Sequence, residues 1–207
     1  MSKEETMTPY ERLMAAFERR QPDRVPVTPF VREWCLRQCG FKFSEAILEG
    51  MKGVEKYVYS QIYCIRKFGY DMVLDLLAIH AESEAMGSKL HIPEDAPPSV
   101  AEPAVKDYQT DLPKLRIPNP YKDGRLPYIL EIVRRMKDIF EGYIPVMGYT
   151  QAPSRHVCML RGTEAVMRDY RKNPGWLHEL FEIATDSLIV WGCALIEAGA
   201  DIIWVSD

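Results

Sequence analysis

Side chains suited to acid–base chemistry follow a strongly apolar run over residues 71–79. They are His80, Glu82 and Glu84. An imidazole changes charge near neutral pH, and a carboxyl group beside a substrate serves as a general acid or orients a polar substrate. We therefore predict catalytic roles for Glu84 and His80. The alternatives are glutamates solvated at the start of a helix and a hydrogen-bonded histidine at the edge of the core.

Polar side chains also follow two later apolar runs. Tyr149 and Gln151 leave one run, and Ser206 and Asp207 close the other. In α/β proteins chemistry gathers at the C-terminal ends of parallel strands. We predict Asp207 as a third catalytic residue, and Tyr149, Gln151 and Ser206 as substrate-binding residues. A local turn or loop anchor is the alternative in each case.

The cysteines do not form a recognisable metal or disulfide pattern. Five are scattered along the chain, at positions 35, 39, 64, 158 and 193. An odd, irregular set fits a reducing compartment. His156 and Cys158 have a spacing seen in zinc sites, but the sequence offers no third ligand beside them. No metal ligand is predicted.

Composition narrows the class of protein. The chain has 207 residues, 47% of them hydrophobic, and a formal net charge of −4. This indicates a single domain over residues 1–207 and argues against a nucleic-acid backbone as partner. No apolar run approaches the roughly 20 residues that span a bilayer. The charged N-terminus lacks a signal core, so we expect a cytoplasmic protein with no membrane partner.

The predicted elements alternate between strands and helices. Strands are expected over residues 25–30, 71–79, 144–149 and 202–206, and helices over 8–20, 44–49, 54–68, 127–140, 163–171 and 174–198. Proline-rich residues 88–120 indicate an irregular excursion with one short hairpin. The alternation predicts a parallel sheet, either an open doubly wound sheet or about four units of a (β/α)8 barrel. No Gly-x-Gly-x-x-Gly motif follows a strand, which removes the main support for a dinucleotide fold.

Six short motifs resemble one family, in the order in which that family carries them. They are Pro9-Tyr10-Glu11-Arg12 with Pro22-Asp23-Arg24-Val25-Pro26, Glu82-x-Glu84-Ala85-Met86-Gly87, Pro97-Pro98-Ser99-Val100, Asp123-Gly124-Arg125-Leu126-Pro127, Gln151-Ala152-Pro153, and Ala198-Gly199-Ala200-Asp201 followed by Ser206-Asp207. The chain thereby resembles the uroporphyrinogen decarboxylase superfamily. The resemblance implies a TIM-type (β/α)8 barrel, of which this chain would be the N-terminal half, with an N-terminal helical extension.

The resemblance implies one of two activities. One branch of the superfamily decarboxylates uroporphyrinogen without a cofactor, and the other transfers a methyl group from a methylated corrinoid protein. Arg32 matches the first arginine of the decarboxylase motif and Asp75 resembles its essential aspartate, so both are predicted to bind substrate. However, Cys35 stands where the second arginine should be, and Val157 and Cys158 occupy the region of an expected tyrosine. These departures favour the methyltransferase branch.

The expected function of the complete barrel is therefore methyl transfer to a small acceptor, either a thiol or tetrahydrofolate. The resemblance implies methylcobalamin on a corrinoid partner protein and, in the full-length family, zinc; this chain is expected to hold no cofactor firmly by itself. Uroporphyrinogen decarboxylation is the first alternative. The second is an inactive fragment that acts only through assembly, either as a homodimer or with a C-terminal half-barrel.

Overall fold

A computed structural model describes residues 5–31, 33–74 and 77–207. The helices are α1 (Pro9–Phe17), α2 (Glu33–Gln38), α3 (Phe43–Leu48), α4 (Met51–Phe68), α5 (Ala81–Ala85), α6 (Tyr108–Asp111, continued by a 3-10 turn over Leu112–Lys114), α7 (Leu126–Phe140), α8 (Pro153–Arg161), α9 (Thr163–Lys172) and α10 (Pro174–Glu197). The strands are β1 (Val73–Leu74), β2 (Lys89–His91), β3 (Ser99–Glu102), β4 (Val146–Gln151) and β5 (Ile202–Ser206).

The main sheet is parallel, with the order β1-β4-β5. Val73 pairs with Val146, and Gln151 pairs with Ser206 at the far end of the sheet. The connections between these strands run through helices, as parallel pairing requires. The predicted α/β architecture with a parallel sheet is therefore confirmed.

The predicted first strand is wrong. Residues 25–30 have no strand structure. Pro26 and Pro29 lack the N–H groups that a ladder needs, although Val27 still accepts a backbone hydrogen bond from Asp71 N at 2.7 Å. In the described parts of the chain the main sheet has three strands, not the four that were expected.

The predicted strand over residues 71–79 is too long. Of the described residues in this range, only Val73–Leu74 form a strand, and residues 77–80 form a turn. The helix α8 was not predicted, because its polar positions Ser154, Arg155 and His156 hide the apolar periodicity. The hairpin expected in the proline-rich excursion is confirmed as the antiparallel pair of β2 and β3.

Buried ion pairs hold the N-terminal helix α1 against the residues that precede β1. Thr8 and Glu11 form a capping box that starts α1. The fully buried Arg12 guanidinium contacts Asp71 Oδ1 through Nη1 and Asp23 Oδ1 through Nε, both at 2.6 Å. Arg24 Nη1 contacts the other Asp71 oxygen at 2.6 Å. Asp71 precedes β1, so this network lies at the end of the sheet opposite to the strands' C-termini.

Helices α7 and α10 cover one face of the sheet. Trp191 of α10 is 1% exposed and donates from Nε1 to the Tyr149 carbonyl oxygen at 3.1 Å. A Cβ at Gly148 of β4 would lie 3.2 Å from Leu195 Cβ of α10. The glycine thus allows α10 to pack directly against the backbone of β4.

Candidate functional site

One face of β4 and β5 collects the residues predicted to bind substrate. Side chains alternate along a strand, and Tyr149 pairs with Trp204 while Gln151 pairs with Ser206. These four residues therefore share a face, opposite to the face on which Gly148 meets α10. This shared face, which we call the inner face, corresponds to the interior of a closed barrel.

Aromatic rings form the floor of the inner face. The rings of Tyr149 and Trp204 meet edge to face with centroids 6.1 Å apart. Phe30 meets Trp204 in the same manner at 4.8 Å. Tyr149 is 2% exposed, whereas Trp204 and Phe30 remain partly exposed. This floor suits a flat or apolar ligand surface.

Gln151 ends β4 with a buried amide. The residue is 1% exposed, and neither Oε1 nor Nε2 forms a hydrogen bond of normal geometry within the described residues. A buried amide without partners is costly. Such a group at the C-terminal end of a central strand is therefore a candidate for binding a ligand's donor and acceptor atoms.

Glu82 lies beside the end of β4 and is buried. It is 1% exposed, and its Oε1 accepts a hydrogen bond from Thr150 Oγ1 at 3.4 Å. Oε2 accepts none of normal geometry from the described residues. Burial raises the pKa of Glu82 to about 7, although its own backbone, the neighbouring Gln151 and the charge of Arg125 act in the opposite direction. Glu82 can therefore gain or lose a proton near neutral pH.

Glu84, the predicted catalytic acid, is engaged in an ion pair. Its Oε2 accepts from Arg125 Nε at 2.6 Å. Arg125 also donates to the carbonyl oxygens of Leu77 at 2.6 Å and Ile79 at 3.1 Å. This arrangement ties α5 and the turn after β1 to the start of α7. Its contacts position the Glu82 segment, and the catalytic role of Glu84 stays a prediction.

His80 occupies the turn that leads into α5. It is 7% exposed and adopts a left-handed conformation with φ of 60°, which is uncommon for a residue other than glycine. Such conformations cluster at functional sites. His80 also lines a cavity between β3 and α8. The structure thus places it at the rim of the site, on the side of the hairpin.

Ser206 and Asp207, at the C-terminal end of β5, lie beside the start of α8. Ser206 Oγ accepts from Arg155 Nη1 at 3.1 Å, and the Asp207 carboxylate accepts a hydrogen bond from Ser154. Asp207 is exposed. The structure therefore joins the C-terminal end of β5 to the first turn of α8. Two other predicted site residues, Arg32 and Asp75, lie outside the described residues.

The predicted residues form two groups. Tyr149, Gln151 and Ser206 share the inner face, while His80 and Glu84 follow β1. Sequence reasoning favoured Glu84 over Glu82, and it missed Arg125 and Arg155. Arg125 lies in the Asp-Gly-Arg-Leu-Pro motif, which was a usable signal. Nothing in the sequence indicated that a turn would bring Arg125 to Glu84.

No metal cluster forms within the described residues. No group of three or more histidine, cysteine, aspartate or glutamate side chains there is arranged to hold an ion. His156 is fully buried, with Nε2 3.2 Å from Met86 Sδ and 3.3 Å from Ser187 Oγ. Burial, and secondarily the charge of His80, lowers the pKa of His156 to about 3, so it stays neutral.

Comparison with known proteins identifies the family to which the chain belongs. The sequence profile described as "Uroporphyrinogen decarboxylase (URO-D)" matches residues 8–207. The chain belongs to the uroporphyrinogen decarboxylase family. Among the described residues, no helix is long and apolar enough to cross a membrane.

Several relatives and one solved structure resemble this family member. It is 27% identical to the uroporphyrinogen decarboxylase of Carboxydothermus hydrogenoformans, over 87% of this chain and 54% of that protein. It is 25% identical to that of Xylella fastidiosa, over 95% of this chain and 57% of that protein. A methyltransferase from Methanosarcina mazei has a TM-score of 0.82 and 24% identity, over 95% of this chain and 58% of that one. The chain thus spans little more than half the length of these proteins, and the structural likeness shows a shared fold.

Proposed function

We propose that the barrel containing this chain transfers a methyl group from a methylated corrinoid protein to a thiol or tetrahydrofolate. The observation that carries the proposal is the inner face, where the buried Gln151 amide, which forms no hydrogen bond of normal geometry with the described residues, lies at the end of the strand that carries the aromatic floor. The fold shared with the Methanosarcina mazei methyltransferase is compatible with it.

Two residues supply the chemistry of the acceptor in this proposal. Gln151 binds the acceptor's polar edge through its amide. A thiol or a ring N–H loses a proton when its sulfur or nitrogen gains a methyl group. Glu82 takes that proton, since its pKa of about 7 keeps a fraction of the carboxylate available at neutral pH. The corrinoid partner supplies only the methyl group.

Contacts near α2 argue against decarboxylation. A substrate with many carboxylates is expected to be held by more than one arginine, because the forked guanidinium suits carboxylate geometry. Cys35, which replaces the second arginine of the decarboxylase motif, is 0% exposed and lies 3.4 Å from the Tyr70 hydroxyl. The nearby Arg37 is exposed and donates to the Asp95 carbonyl oxygen at 2.6 Å. Uroporphyrinogen decarboxylation remains the second candidate, because the curated relatives carry that name.

Zinc does not fit the described residues. His156 and Cys158 have no third ligand arranged with them there, and His156 already contacts Met86 and Ser187. We therefore assign no step to zinc in this part of the barrel.

The proposal includes assembly through β5. Within the described residues this strand pairs only with β4, and Val205 is 57% exposed. An uncovered apolar edge strand favours pairing with another chain. Analytical ultracentrifugation tests this point: we expect a dimer, or a complex with a C-terminal half-barrel. A stable monomer that unfolds cooperatively, even when that half is supplied, would argue against assembly.

The activity test uses the chain together with the part of the Methanosarcina mazei methyltransferase that it does not match, supplied as a second polypeptide. Methylcobalamin stands in for the corrinoid partner, and a thiol or tetrahydrofolate is the acceptor. We expect methylated acceptor, with at least a hundredfold lower rate for Gln151→Ala. Glu179→Gln, at an exposed helix position, is the matched control and should leave the rate unchanged. Coproporphyrinogen formed from uroporphyrinogen, without methyl transfer, would support the second candidate.

A further inference from the structure

A cavity of about 390 Å³ lies between β3 and the helix α8, beside the inner face. The polar residues of its lining include His80, Arg155 and Cys158, and the apolar residues, which are here called the apolar wall, include Val100, Pro103 and Met159. A volume of this size holds one small organic molecule. The cavity adjoins the inner face through the contact of Arg155 with Ser206, but its lining includes neither Gln151 nor Glu82.

The described lining of the cavity contains a positively charged arginine and no carboxylate. Arg155 is half-buried, and its observed partner is the neutral Ser206 hydroxyl, at 3.1 Å from Nη1. Among the described residues no carboxylate forms an ion pair with Arg155, and none of the described lining residues is an aspartate or glutamate. A guanidinium in this setting has donors available for a planar anion.

His80 gives a second, independent indication of a site. It is more than nine-tenths buried, and its left-handed backbone conformation turns the chain into α5 at the wall of this cavity. Strain of this kind persists where surrounding structure holds a residue in place. An imidazole and a guanidinium therefore line the same cavity, together with apolar side chains.

We propose that this cavity binds a small carboxylic acid with an apolar body. Arg155 binds the carboxylate, His80 contributes a hydrogen bond, and the apolar wall packs against the rest of the molecule. A carboxylate is favoured over inorganic phosphate, because one guanidinium with an apolar wall matches a single charge attached to a hydrocarbon. The inference does not depend on methyl transfer, since it concerns binding alone.

Isothermal titration calorimetry of the whole chain with benzoate tests the proposal. We expect saturable binding with one site, and at least tenfold weaker binding of the neutral isostere benzamide and of inorganic phosphate. Arg155→Met should weaken benzoate binding at least tenfold, with Arg155→Lys in between. Arg168→Met, at an exposed position on α9, is the control and should change nothing.

A second readout needs no variant and therefore survives any folding defect. Cys158 lines the cavity, whereas Cys193 is exposed elsewhere on α10. Benzoate should slow alkylation of Cys158 severalfold and leave Cys193 unchanged, as measured by peptide mass spectrometry. The proposal is overturned if benzoate neither binds nor protects Cys158, if phosphate or benzamide binds equally well, or if Arg168→Met weakens binding as much as Arg155→Met.

Discussion

Replacing Glu82 with glutamine should remove a pH-dependent penalty on stability. The carboxyl group of Glu82 is fully buried, and its pKa rises from 4.5 to about 7 in the folded protein. Below pH 4.5 the group is protonated in both the folded and the unfolded states. As the pH rises from 4.5 towards 7, the unfolded chain releases this proton and the folded chain retains it, so folding becomes less favourable. Above pH 7 the penalty is constant.

The size of the effect follows from the pKa values. Each pH unit between 4.5 and about 7 is worth about 1.4 kcal/mol, which makes the full penalty roughly 3 kcal/mol. A glutamine at position 82 has a similar shape and stays neutral, so it escapes the penalty. The free energy of unfolding of Glu82→Gln, relative to the natural chain, should therefore increase by roughly 3 kcal/mol between pH 4.5 and pH 8.

Urea denaturation followed by circular dichroism measures this difference at several pH values. The exposed Glu179→Gln is the control and should show a nearly flat difference. If the difference in free energy of unfolding between Glu82→Gln and the natural chain stays constant within about 0.5 kcal/mol across this pH range, the carboxyl group does not titrate near neutrality. The proton-accepting role that we propose for Glu82 would then fail.

Three further predictions concern the scaffold. Asp71→Asn should lower the free energy of unfolding by about 3–5 kcal/mol, because the guanidinium groups of Arg12 and Arg24 lose the carboxylate that they contact. Urea denaturation at pH 7 measures this loss, and a value below about 1 kcal/mol would contradict the prediction. Gly148→Val should cost about 1–3 kcal/mol in the same assay, since its Cβ would meet Leu195 at 3.2 Å; an unchanged unfolding midpoint would show that α10 is not packed there. In the native protein the exposed Cys193 should react with a thiol reagent first. Burial raises the pKa of Cys64 to about 12, so Cys64 should react only after unfolding. Equal reaction rates for the two thiols would contradict the packing of α4.

The sequence predicts the parts of the fold that depend on strong periodicity or capping. The apolar stripe of α10 and the apolar run of β5 are recognisable from the residues themselves, as is the capping box at Thr8. The strand expected over residues 25–30 fails because its prolines outweigh its β-branched residues. Helix α8 was not predicted, because its buried face contains the polar residue His156 and the apolar periodicity is therefore weak.

The candidate site was predictable only where residues lie at strand ends. Tyr149, Gln151 and Ser206 come together because parallel strands align their C-terminal ends and side chains alternate. Choosing between Glu82 and Glu84 was beyond the sequence, since the two are separated by one residue on a short helix. Tertiary contacts distinguish them: Arg125 reaches Glu84, while the end of β4 buries Glu82.

We propose that the inner face of β4 and β5 binds the thiol or tetrahydrofolate that receives the methyl group. The most direct measurement is the rate of acceptor methylation from methylcobalamin by the chain completed with the missing part of the barrel, compared for the natural sequence and Gln151→Ala. We expect methylated product from the natural sequence and at least a hundredfold lower rate of methylation from Gln151→Ala. A rate that does not change with Gln151→Ala, or turnover of uroporphyrinogen instead, would contradict it.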